Sequence, residues 1–417
     1  MCVVPTLWDV VASAPWNEAM AAVTCGTDGS APVAGPASRV VITDSRGAID
    51  TIRGLARDDA GGGGGWVVVI SYDLGRALEP RAGGGRAAAD RAWPACVCLR
   101  LDRGWRSESG VLKALGVEVT HSSKTAGTWR VGALRREIEE SVYQRAVERV
   151  LEYIRAGDVY QVNLAHRLSA DFEGSARAFF ADFARIAEPR HGAYVEFDHE
   201  GQRFAAASCS PELFLSFDAA TCRLSTRPMK GTRSAGGDAR ELLENGKERA
   251  ELNMIVDLMR NDLGRVCELG SVRVDAPRTI ERHGGARGGV LQATATVSGT
   301  LRPGAGIADA LEATFPPGSV TGAPKVRAMQ IIDELEAIRR GPYCGCIGFI
   351  ADTGDAWFNV AIRTALLCGE PGAAPGEIRR GVMDYSVGAG IVAESDPQRE
   401  WEETLLKAAG LRALLGV

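Results

Sequence analysis

The strand patterns that follow Ala133 constrain the fold more than any other feature of this chain. Short alternating segments such as HGAYVEFDHE, QRFAAASCSP and ELFLSFDA succeed one another with only short turns between them. Consecutive strands joined by short turns pair as antiparallel hairpins, whereas parallel strands need a long crossover. The pattern therefore predicts a mixed α+β chain whose strands form hairpin-like pairs more than alternating βαβ units.

Amphipathic helices separate groups of these strands. Apolar residues recur at helical spacing in LRREIEESVYQRAVERVLEYIRAGD, GKERAELNMIVDLMRNDLGRV, APKVRAMQIIDELEAIRR and DPQREWEETLLKAAGLRALL. The last helix is predicted to begin at Pro397, because proline suits the first helical position after an aspartate cap.

The first 125 residues have a looser composition than residues 133–417. The segments DDAGGGGGW and RAGGGRAAADRA are rich in glycine and alanine, which predicts flexible loops or insertions. Between them, WVVVISYDLGRALEP predicts a strand that enters a turn. The glycine run lacks the Lys-Ser/Thr pair of a phosphate-binding loop.

Composition argues against several classes of protein. A formal net charge of -5 provides no electrostatic footprint for nucleic acid or an anionic membrane. The ten cysteines are scattered and include no C-x-x-C pair, which favours buried reduced thiols over a zinc site or a disulfide framework. No run approaches the length of a transmembrane helix, and the first twenty residues lack the pattern of a signal peptide, so we expect a cytoplasmic protein.

Two pairs of glutamates are candidate metal ligands. Glu248 and Glu251 begin one helix, and Glu400 and Glu403 lie in the first turns of the last helix. The three-residue spacing places both carboxylates of a pair on one helical face. Solvated helix surfaces also carry such pairs, but each pair here borders a strongly apolar helical run. A few carboxylates, with water and a substrate anion, form the oxygen ligand set that Mg²⁺ prefers.

Three segments offer groups that could bind an anion. Ser319, in PPGSVTGAPK, precedes a helix whose first backbone N–H groups are free. Gly388 and Gly390, in YSVGAGIV, allow the backbone to approach a ligand closely. Arg363 lies among apolar strand residues and needs a carboxylate partner from the protein or from a substrate.

Two further residues could take part in proton transfer or covalent chemistry. Lys230 lies in the turn STRPMKGTRSAG, where it could be a phosphate clamp, a nucleophile or a solvated surface charge. Glu212 begins an apolar strand, and partial burial there would raise the pKa of its carboxyl and suit a general acid. A simple turn glutamate fits the same pattern, so these residues alone leave both roles open.

Taken together, the segments resemble the chorismate-utilising enzyme family, and within it the aminodeoxychorismate synthase branch. The resemblance extends from about Arg135 to Lys407 and matches poorly in residues 1–125, apart from SYDLGRALE. It identifies residues 133–417 as a chorismate-binding catalytic domain. Eight blocks carry it, in the family's order: AGDVYQVNLAHR, SCSPELFL, TRPMKGTR, KERAELNMIVDLMRNDLGRV, FPPGSVTGAPKVRAMQIIDELE, RGPYCGCIGFI, NVAIRT and VGAGIVAESDPQREWEET.

The resemblance implies a fold, a substrate and a cofactor. The implied fold is an α/β (α+β) anthranilate-synthase-like fold, in which two large, mainly antiparallel sheets pack together with helices outside and the two ends of the chain interleave. The implied substrate is chorismate and the implied cofactor is Mg²⁺, held by Glu251 and Glu403 with Glu248 and Glu400 in support through water. The enolpyruvyl carboxylate would be bound by Tyr343, Arg363 and the backbone at Gly388 and Gly390. The residues implied along the ring are Ser319 and Thr232.

Two positions separate the branches of the family, and a third departs from the family's usual residue. Anthranilate synthases carry alanine where this chain has Lys230, and isochorismate and salicylate synthases carry a water-activating lysine where it has Gln161. Glutamine cannot deprotonate water, so Gln161 favours an ammonia nucleophile. Many members have histidine where Gln292 aligns, and glutamine there is compatible with aminodeoxychorismate formation but less expected for pyruvate elimination. Nearby His283, in the glycine-rich segment ERHGGARGG, is not expected to replace that histidine.

The resemblance therefore favours Lys230 as a covalent nucleophile and Glu212 as the general acid. The implied product is 4-amino-4-deoxychorismate, a precursor of 4-aminobenzoate and folate. Ammonia would come from a separate glutamine amidotransferase, because no segment has the cysteine and histidine pattern of glutamine hydrolysis. The alternatives are an anthranilate synthase large component, which Lys230 disfavours, and a non-catalytic chorismate-binding protein, which would need no general acid.

Overall fold

The computed structural model describes residue 11 and residues 19–25, 31–57, 63–83, 87–89, 91–102, 127–234, 246–283 and 290–417. Within these residues the chain forms two ten-stranded sheets with helices packed on their outer faces. All strand pairs of the two sheets are antiparallel. The predicted fold class is confirmed.

The strands and helices are numbered in chain order. The strands are β1 (Met20–Cys25), β2 (Ala31–Pro36), β3 (Arg39–Thr43), β4 (Gly65–Ile70), β5 (Cys96–Leu101), β6 (Trp129–Val131), β7 (Arg135–Arg136), β8 (Gln161–Ser175), β9 (Ala193–His199), β10 (Gln202–Ser208), β11 (Leu213–Asp218), β12 (Arg223–Arg227), β13 (Met229–Ser234), β14 (Arg273–His283), β15 (Val290–Thr300), β16 (Gly322–Ala323), β17 (Cys346–Ala351), β18 (Ala356–Val360), β19 (Thr364–Pro371) and β20 (Glu377–Ile391). The helices are α1 (Ala48–Leu55), α2 (Gly75–Leu78), α3 (Glu140–Arg155), α4 (Ala176–Ala187), α5 (Gly246–Gly264), α6 (Ile307–Thr314), α7 (Lys325–Leu335), α8 (Pro397–Lys407) and α9 (Ala409–Leu415).

Both sheets combine strands from distant parts of the chain. The first sheet has the order β16-β8-β20-β19-β10-β9-β1-β2, with β6 and β7 also paired to β8. The second has the order β13-β15-β12-β11-β18-β17-β4-β5-β3, with β14 also paired to β15. Strands from the first 102 residues therefore lie in both sheets, beside strands that follow residue 190. The proposed boundary near residue 125 stays a prediction.

The apolar core has three layers. Residues of the two sheets pack against each other, with Phe197 and Phe204 of the first sheet meeting Val67 and Phe349 of the second. On the outer faces, α4 and α9 cover the first sheet and α5 packs on the second. Burial of these faces, and not the propensity of each helix, provides most of the helical stability.

Several local predictions are confirmed. The segment after the first glycine run forms β4 and then turns, and α8 begins at Pro397, where the Asp396 side chain accepts a hydrogen bond from the Arg399 backbone N–H. Parts of both Gly/Ala-rich segments, and the glycine-rich segment after His283, lie outside the described residues. No helix in the described ranges is both long and apolar enough to span a bilayer.

Two crossings between the sheets bring loop residues to one place. The chain leaves the first sheet after β10 and enters the second at β11, and it returns from β18 to β19. These crossings lie side by side, since the Cys209 backbone N–H donates to the Arg363 carbonyl at 2.9 Å. They carry Glu212 and Arg363. The pairing of β19 with β20 ends at Tyr385, which leaves residues 386–391 paired only with β8.

Candidate active site

Lys230 lies against the backbone of Gly390, at the meeting point of the two sheets. The pairing of β13 with β15 shifts register between Lys230 and Thr232, and the intervening Gly231 has φ +73°, a conformation that glycine adopts without strain. A Cβ added at Gly390 would lie 3.1 Å from Lys230 Nζ. The ammonium group therefore occupies space that any other residue at position 390 would take.

The electrostatic surroundings of Lys230 favour a reactive amine. Burial lowers the pKa of Lys230, and the Lys407 ammonium lowers it further. The carboxylates of Glu251, Glu212 and Glu403 act in the opposite direction. Within the described residues Lys230 has no hydrogen bond or ion pair at contact distance. Its pKa is thus shifted in the direction that a lysine nucleophile requires.

The Gln161 side chain reaches the backbone of Gly390 from the first sheet. Gln161 is the first residue of β8 and is fully buried, and its amide Nε2 would lie 2.9 Å from a Cβ at Gly390. Neither Nε2 nor Oε1 has a hydrogen-bond partner in the described part of the chain. A buried amide without partners is costly, and such groups are normally satisfied by protein, water or ligand. The Gln161 amide is therefore a candidate ligand-binding group.

Glu212 is held rigidly in the crossing from β10 to β11. Its backbone N–H donates to Ser210 Oγ at 3.2 Å, and its carbonyl accepts from the Val360 backbone N–H at 3.0 Å. The carboxyl group is buried and hydrogen-bonds to Ser319. Burial raises the pKa of Glu212 to about 7, although Ser319, Lys230 and Arg363 each lower it. An acid with a pKa near neutrality suits proton donation at physiological pH.

Arg363 supplies a partly buried cation near Glu212. Its φ of +51° is unfavourable for a residue with a side chain, and this places strain at the crossing. Burial lowers the pKa of Arg363, while Tyr385, Cys209 and Glu212 raise it. In the described residues its guanidinium forms no ion pair. A desolvated guanidinium without a carboxylate is suited to an anionic ligand.

Tyr343, Ser319 and Gly388 complete the set that the resemblance implies. Tyr343 is 4% exposed, and burial keeps the pKa of its phenol well above the usual value, so it remains a neutral donor. Ser319 lies in a single 3-10 turn beside Glu212. The Gly388 carbonyl, on the unpaired edge of β20, accepts a hydrogen bond from Lys407 Nζ at 2.7 Å.

The predicted residues Gln292 and Thr232 lie opposite each other in neighbouring strands. Gln292 lies in β15, directly opposite Thr232 of β13, and its neighbour Ala293 is opposite Lys230. Adjacent residues of a strand point to opposite faces, so the Gln292 side chain leaves β15 on the face opposite that of Ala293. The side chain of Thr232 lies outside the described residues, and its predicted role stays a prediction.

Of the four glutamates, Glu251 and Glu403 lie near Lys230. Glu251 and Glu403 both raise the pKa of Lys230, and Glu400 is buried with its Oε1 accepting from Ser395 Oγ at 2.6 Å. Glu248, in the first turn of α5, interacts with Arg278. Across the described ranges no group of three His, Cys, Asp or Glu side chains is arranged to hold a metal ion. The magnesium site stays a prediction.

Comparison with known proteins assigns this chain to a family. The sequence profile of the chorismate binding enzymes matches residues 33–413. The chain belongs to this family. The match includes both crossings and every predicted site residue, and the roles of these residues stay predictions.

The relatives include more than one kind of chorismate binding enzyme. Anthranilate synthase component 1 of Haloarcula marismortui is 36% identical over 388 residues, which cover 83% of this chain and 74% of that protein. Anthranilate synthase component 1 of Aquifex aeolicus is 40% identical over 290 residues, covering 68% and 53%. Aminodeoxychorismate synthase component 1 of Bacillus subtilis is 38% identical over 291 residues, covering 68% and 57%. The chain thus matches little more than half the length of two of these relatives.

Solved structures agree with the fold. Anthranilate synthase component I from Streptococcus pneumoniae superposes with a TM-score of 0.71 at 26% identity, covering 96% of this chain and 91% of that one. An isochorismate synthase from Escherichia coli superposes with a TM-score of 0.70 at 20% identity, covering 99% and 92%. The second likeness concerns the fold alone.

The structure adds two residues that the sequence analysis did not include. Lys407 pairs with Glu403 at 2.8 Å while it also bonds to Gly388, so its charge lies close to a carboxylate and acts on Lys230. Ser395 orients Glu400 through the hydrogen bond described above. The i, i+4 spacing of Glu403 and Lys407 on one helix was the signal that could have identified Lys407.

Proposed function

We propose that this chain is an aminodeoxychorismate synthase component 1, which converts chorismate and ammonia to 4-amino-4-deoxychorismate. One observation carries the proposal: the Lys230 amine and the Gln161 amide meet at Gly390, close to the acid Glu212. This pair combines a nucleophile with a residue that cannot activate water. Ammonia is expected from a separate glutamine amidotransferase, and the product would lead to 4-aminobenzoate and folate.

Lys230 and Glu212 have complementary parts in the proposed reaction. The Lys230 amine attacks the ring and forms a C–N bond, while the C4–O bond breaks and the proton of Glu212 leaves with the hydroxyl as water. Ammonia then forms a bond to C4, the Lys230–ring bond breaks, and a proton from the attacking ammonia returns to Glu212. The first step needs Lys230 neutral and Glu212 protonated at its start, and the pKa shifts of both groups favour those forms.

The substrate would be held by further groups of the site. Arg363 and Tyr343 suit the enolpyruvyl carboxylate, because one provides a desolvated charge and the other a neutral donor. The backbone at Gly388 and Gly390 allows close approach, and Ser319 with Thr232 would lie along the ring. The buried surroundings would exclude water from the covalent intermediate.

Magnesium is compatible with the predicted glutamates. Glu251 and Glu403 would hold the ion, and Glu248 and Glu400 would support it through water. Mg²⁺ commonly uses one or two protein carboxylates together with water and a substrate anion, so the absence of a closed three-residue cluster in the described ranges does not conflict with it. When bound, the ion would neutralise a carboxylate of the substrate.

Anthranilate synthase activity is the second candidate. The Haloarcula marismortui relative supports it, because that match covers 83% of this chain. Lys230 argues against it, because the resemblance implies alanine at this position in anthranilate synthases.

A product assay tests the proposal. The protein is incubated with chorismate, Mg²⁺ and ammonium, and the products are identified by mass spectrometry. 4-Amino-4-deoxychorismate, which retains the enolpyruvyl group, is the expected product. Anthranilate and pyruvate would contradict the proposal and support the second candidate.

A further inference from the structure

Asn163 presents a second buried amide beside Gln161. The two residues are two positions apart in β8, so their side chains leave the same face of the strand. The intervening Val162, together with Leu164, belongs to the core on the opposite face. Asn163 pairs directly with Gly390 of β20, the residue against which Gln161 Nε2 and Lys230 Nζ both lie. Asn163 therefore borders the point where the proposed chemistry takes place.

The side-chain nitrogen of Asn163 is unpaired in the part of the chain that the structure describes. Asn163 is 7% exposed, and its Nδ2 is buried without a hydrogen-bond partner in the described residues. Its backbone, in contrast, is firmly held, because its N–H donates to the Thr321 carbonyl at 2.8 Å and its carbonyl accepts from Arg340 at 2.7 Å. Arg340 is itself held by a buried ion pair with Glu336. The unpaired amide thus has a fixed place in the fold.

Three polar atoms of the two amides lack partners: Gln161 Nε2, Gln161 Oε1 and Asn163 Nδ2. Together they offer hydrogen-bond donors and an acceptor, and neither side chain carries a charge. This set suits a neutral group that both donates and accepts hydrogen bonds. It does not suit a carboxylate, for which the charged Arg363 near Glu212 is available.

We infer that Asn163 is a substrate-positioning residue, which binds the ring hydroxyl of chorismate together with Gln161. The hydroxyl would donate to Gln161 Oε1 and accept from Asn163 Nδ2, and this would hold the ring against Lys230. The inference rests on chorismate as the substrate of the proposed function, but not on the identity of the product. Ammonia can also donate and accept hydrogen bonds, and the experiment below distinguishes the two ligands.

Asn359 provides a matched control. It is also a buried asparagine, 5% exposed, but its amide is fully used: Oδ1 accepts from the Ile347 backbone N–H at 3.0 Å and Nδ2 donates to the His191 carbonyl at 2.8 Å. Removing a satisfied buried amide leaves its partners unpaired, whereas removing an unsatisfied one does not. Leucine at position 359 should therefore lower the melting temperature, and leucine at position 163 should leave it unchanged or raise it.

The decisive measurement is the KM of each substrate for wild type, Asn163→Leu and Asn163→Ser in the full chain. We expect the KM for chorismate to rise about 3- to 10-fold in both variants, the loss expected for one hydrogen bond, with the KM for ammonium unchanged. Serine is included because it removes the amide without adding apolar bulk.

Three outcomes would overturn the inference: a destabilisation of Asn163→Leu as large as that of Asn359→Leu, a rise in the KM for ammonium alone, or no change in either KM. The product of the wild-type enzyme is identified in the same experiment. If it is anthranilate, the proposed function fails, but the chorismate KM values still decide the role of Asn163.

Discussion

Replacement of Glu212 by glutamine should make the protein more stable at alkaline pH and nearly inactive. Glutamine keeps the shape of the side chain and its capacity to hydrogen-bond Ser319, but it cannot ionise or donate the proton of a carboxylic acid. The buried position of Glu212 causes both effects, because burial raises its pKa from 4.5 to about 7.

The size of the stability effect follows from that shift. In the unfolded chain Glu212 ionises near its ordinary pKa, so between pH 4.5 and about 7 the unfolded state loses this proton more readily than the folded state. The wild-type free energy of unfolding should therefore fall across this interval by roughly 3 kcal/mol relative to the variant. The loss should be complete above pH 7 and absent below pH 4.5.

The assay is denaturant unfolding of wild type and Glu212→Gln at several pH values from 5 to 8.5. The control is Glu152→Gln in α3, whose side chain is 57% exposed and pairs with Arg149 on the surface. Such a pair contributes little, so its free-energy difference from wild type should be small at every pH. In the Glu212 variant the difference should increase in favour of the variant as pH rises.

The same variant should lose activity for a different reason. Removal of a general acid lowers kcat by about 10²- to 10⁴-fold. The wild-type profile of log kcat/KM against pH should change slope near pH 7, where Glu212 ionises, and the profile of the variant should lack this change. The reasoning is wrong if the stability difference does not depend on pH, or if Glu212→Gln keeps most of the wild-type activity.

The remaining predictions concern the nucleophile, the metal and the nitrogen source. Lys230→Arg should be about as inactive as Lys230→Ala, because arginine keeps the charge but provides no nucleophilic amine. Wild-type enzyme given chorismate without ammonia should carry a covalent adduct on Lys230, detected by intact-mass analysis. If the arginine variant is active and the wild type forms no adduct, Lys230 binds an anion and is not a nucleophile. Glu403→Gln should weaken Mg²⁺ binding, measured by calorimetric titration, and lower activity, while circular dichroism shows that the protein stays folded. Full turnover in excess EDTA would contradict a magnesium requirement. The purified chain should use ammonium but not glutamine, and equal rates with both would show that it needs no amidotransferase partner.

The local elements of this fold were predictable from sequence, but their neighbours in the sheets were not. Hairpins such as β9–β10 and β11–β12 follow from short turns between alternating segments. The pairing of β8 with β20 joins segments about two hundred residues apart, and β4 lies between β17 and β5. No local pattern encodes such partners, because both faces of these central strands are buried and many apolar segments would satisfy them equally.

In the candidate site, the residue types were visible in the sequence but their proximity in space was not. Sequence patterns alone left Lys230 and Glu212 open between surface and catalytic roles, and only the family resemblance favoured the latter. The structure brings Lys230, Gln161 and Glu212 together from β13, β8 and the crossing between the sheets, and no spacing along the chain encodes that distance. It also shows that Lys407 pairs with Glu403.

The unpaired polar groups of the site favour the binding of a ligand. Folding buries the Gln161 and Asn163 amides and partly desolvates the Arg363 guanidinium without giving them protein partners in the described residues, and each group carries a free-energy cost. The antiparallel pairing of β8 with β20 and the two crossings between the sheets offset this cost, because they hold the backbone of all three residues in place. A ligand that satisfies these groups recovers part of the cost on binding. Recognition here therefore depends on groups that the fold buries but does not pair.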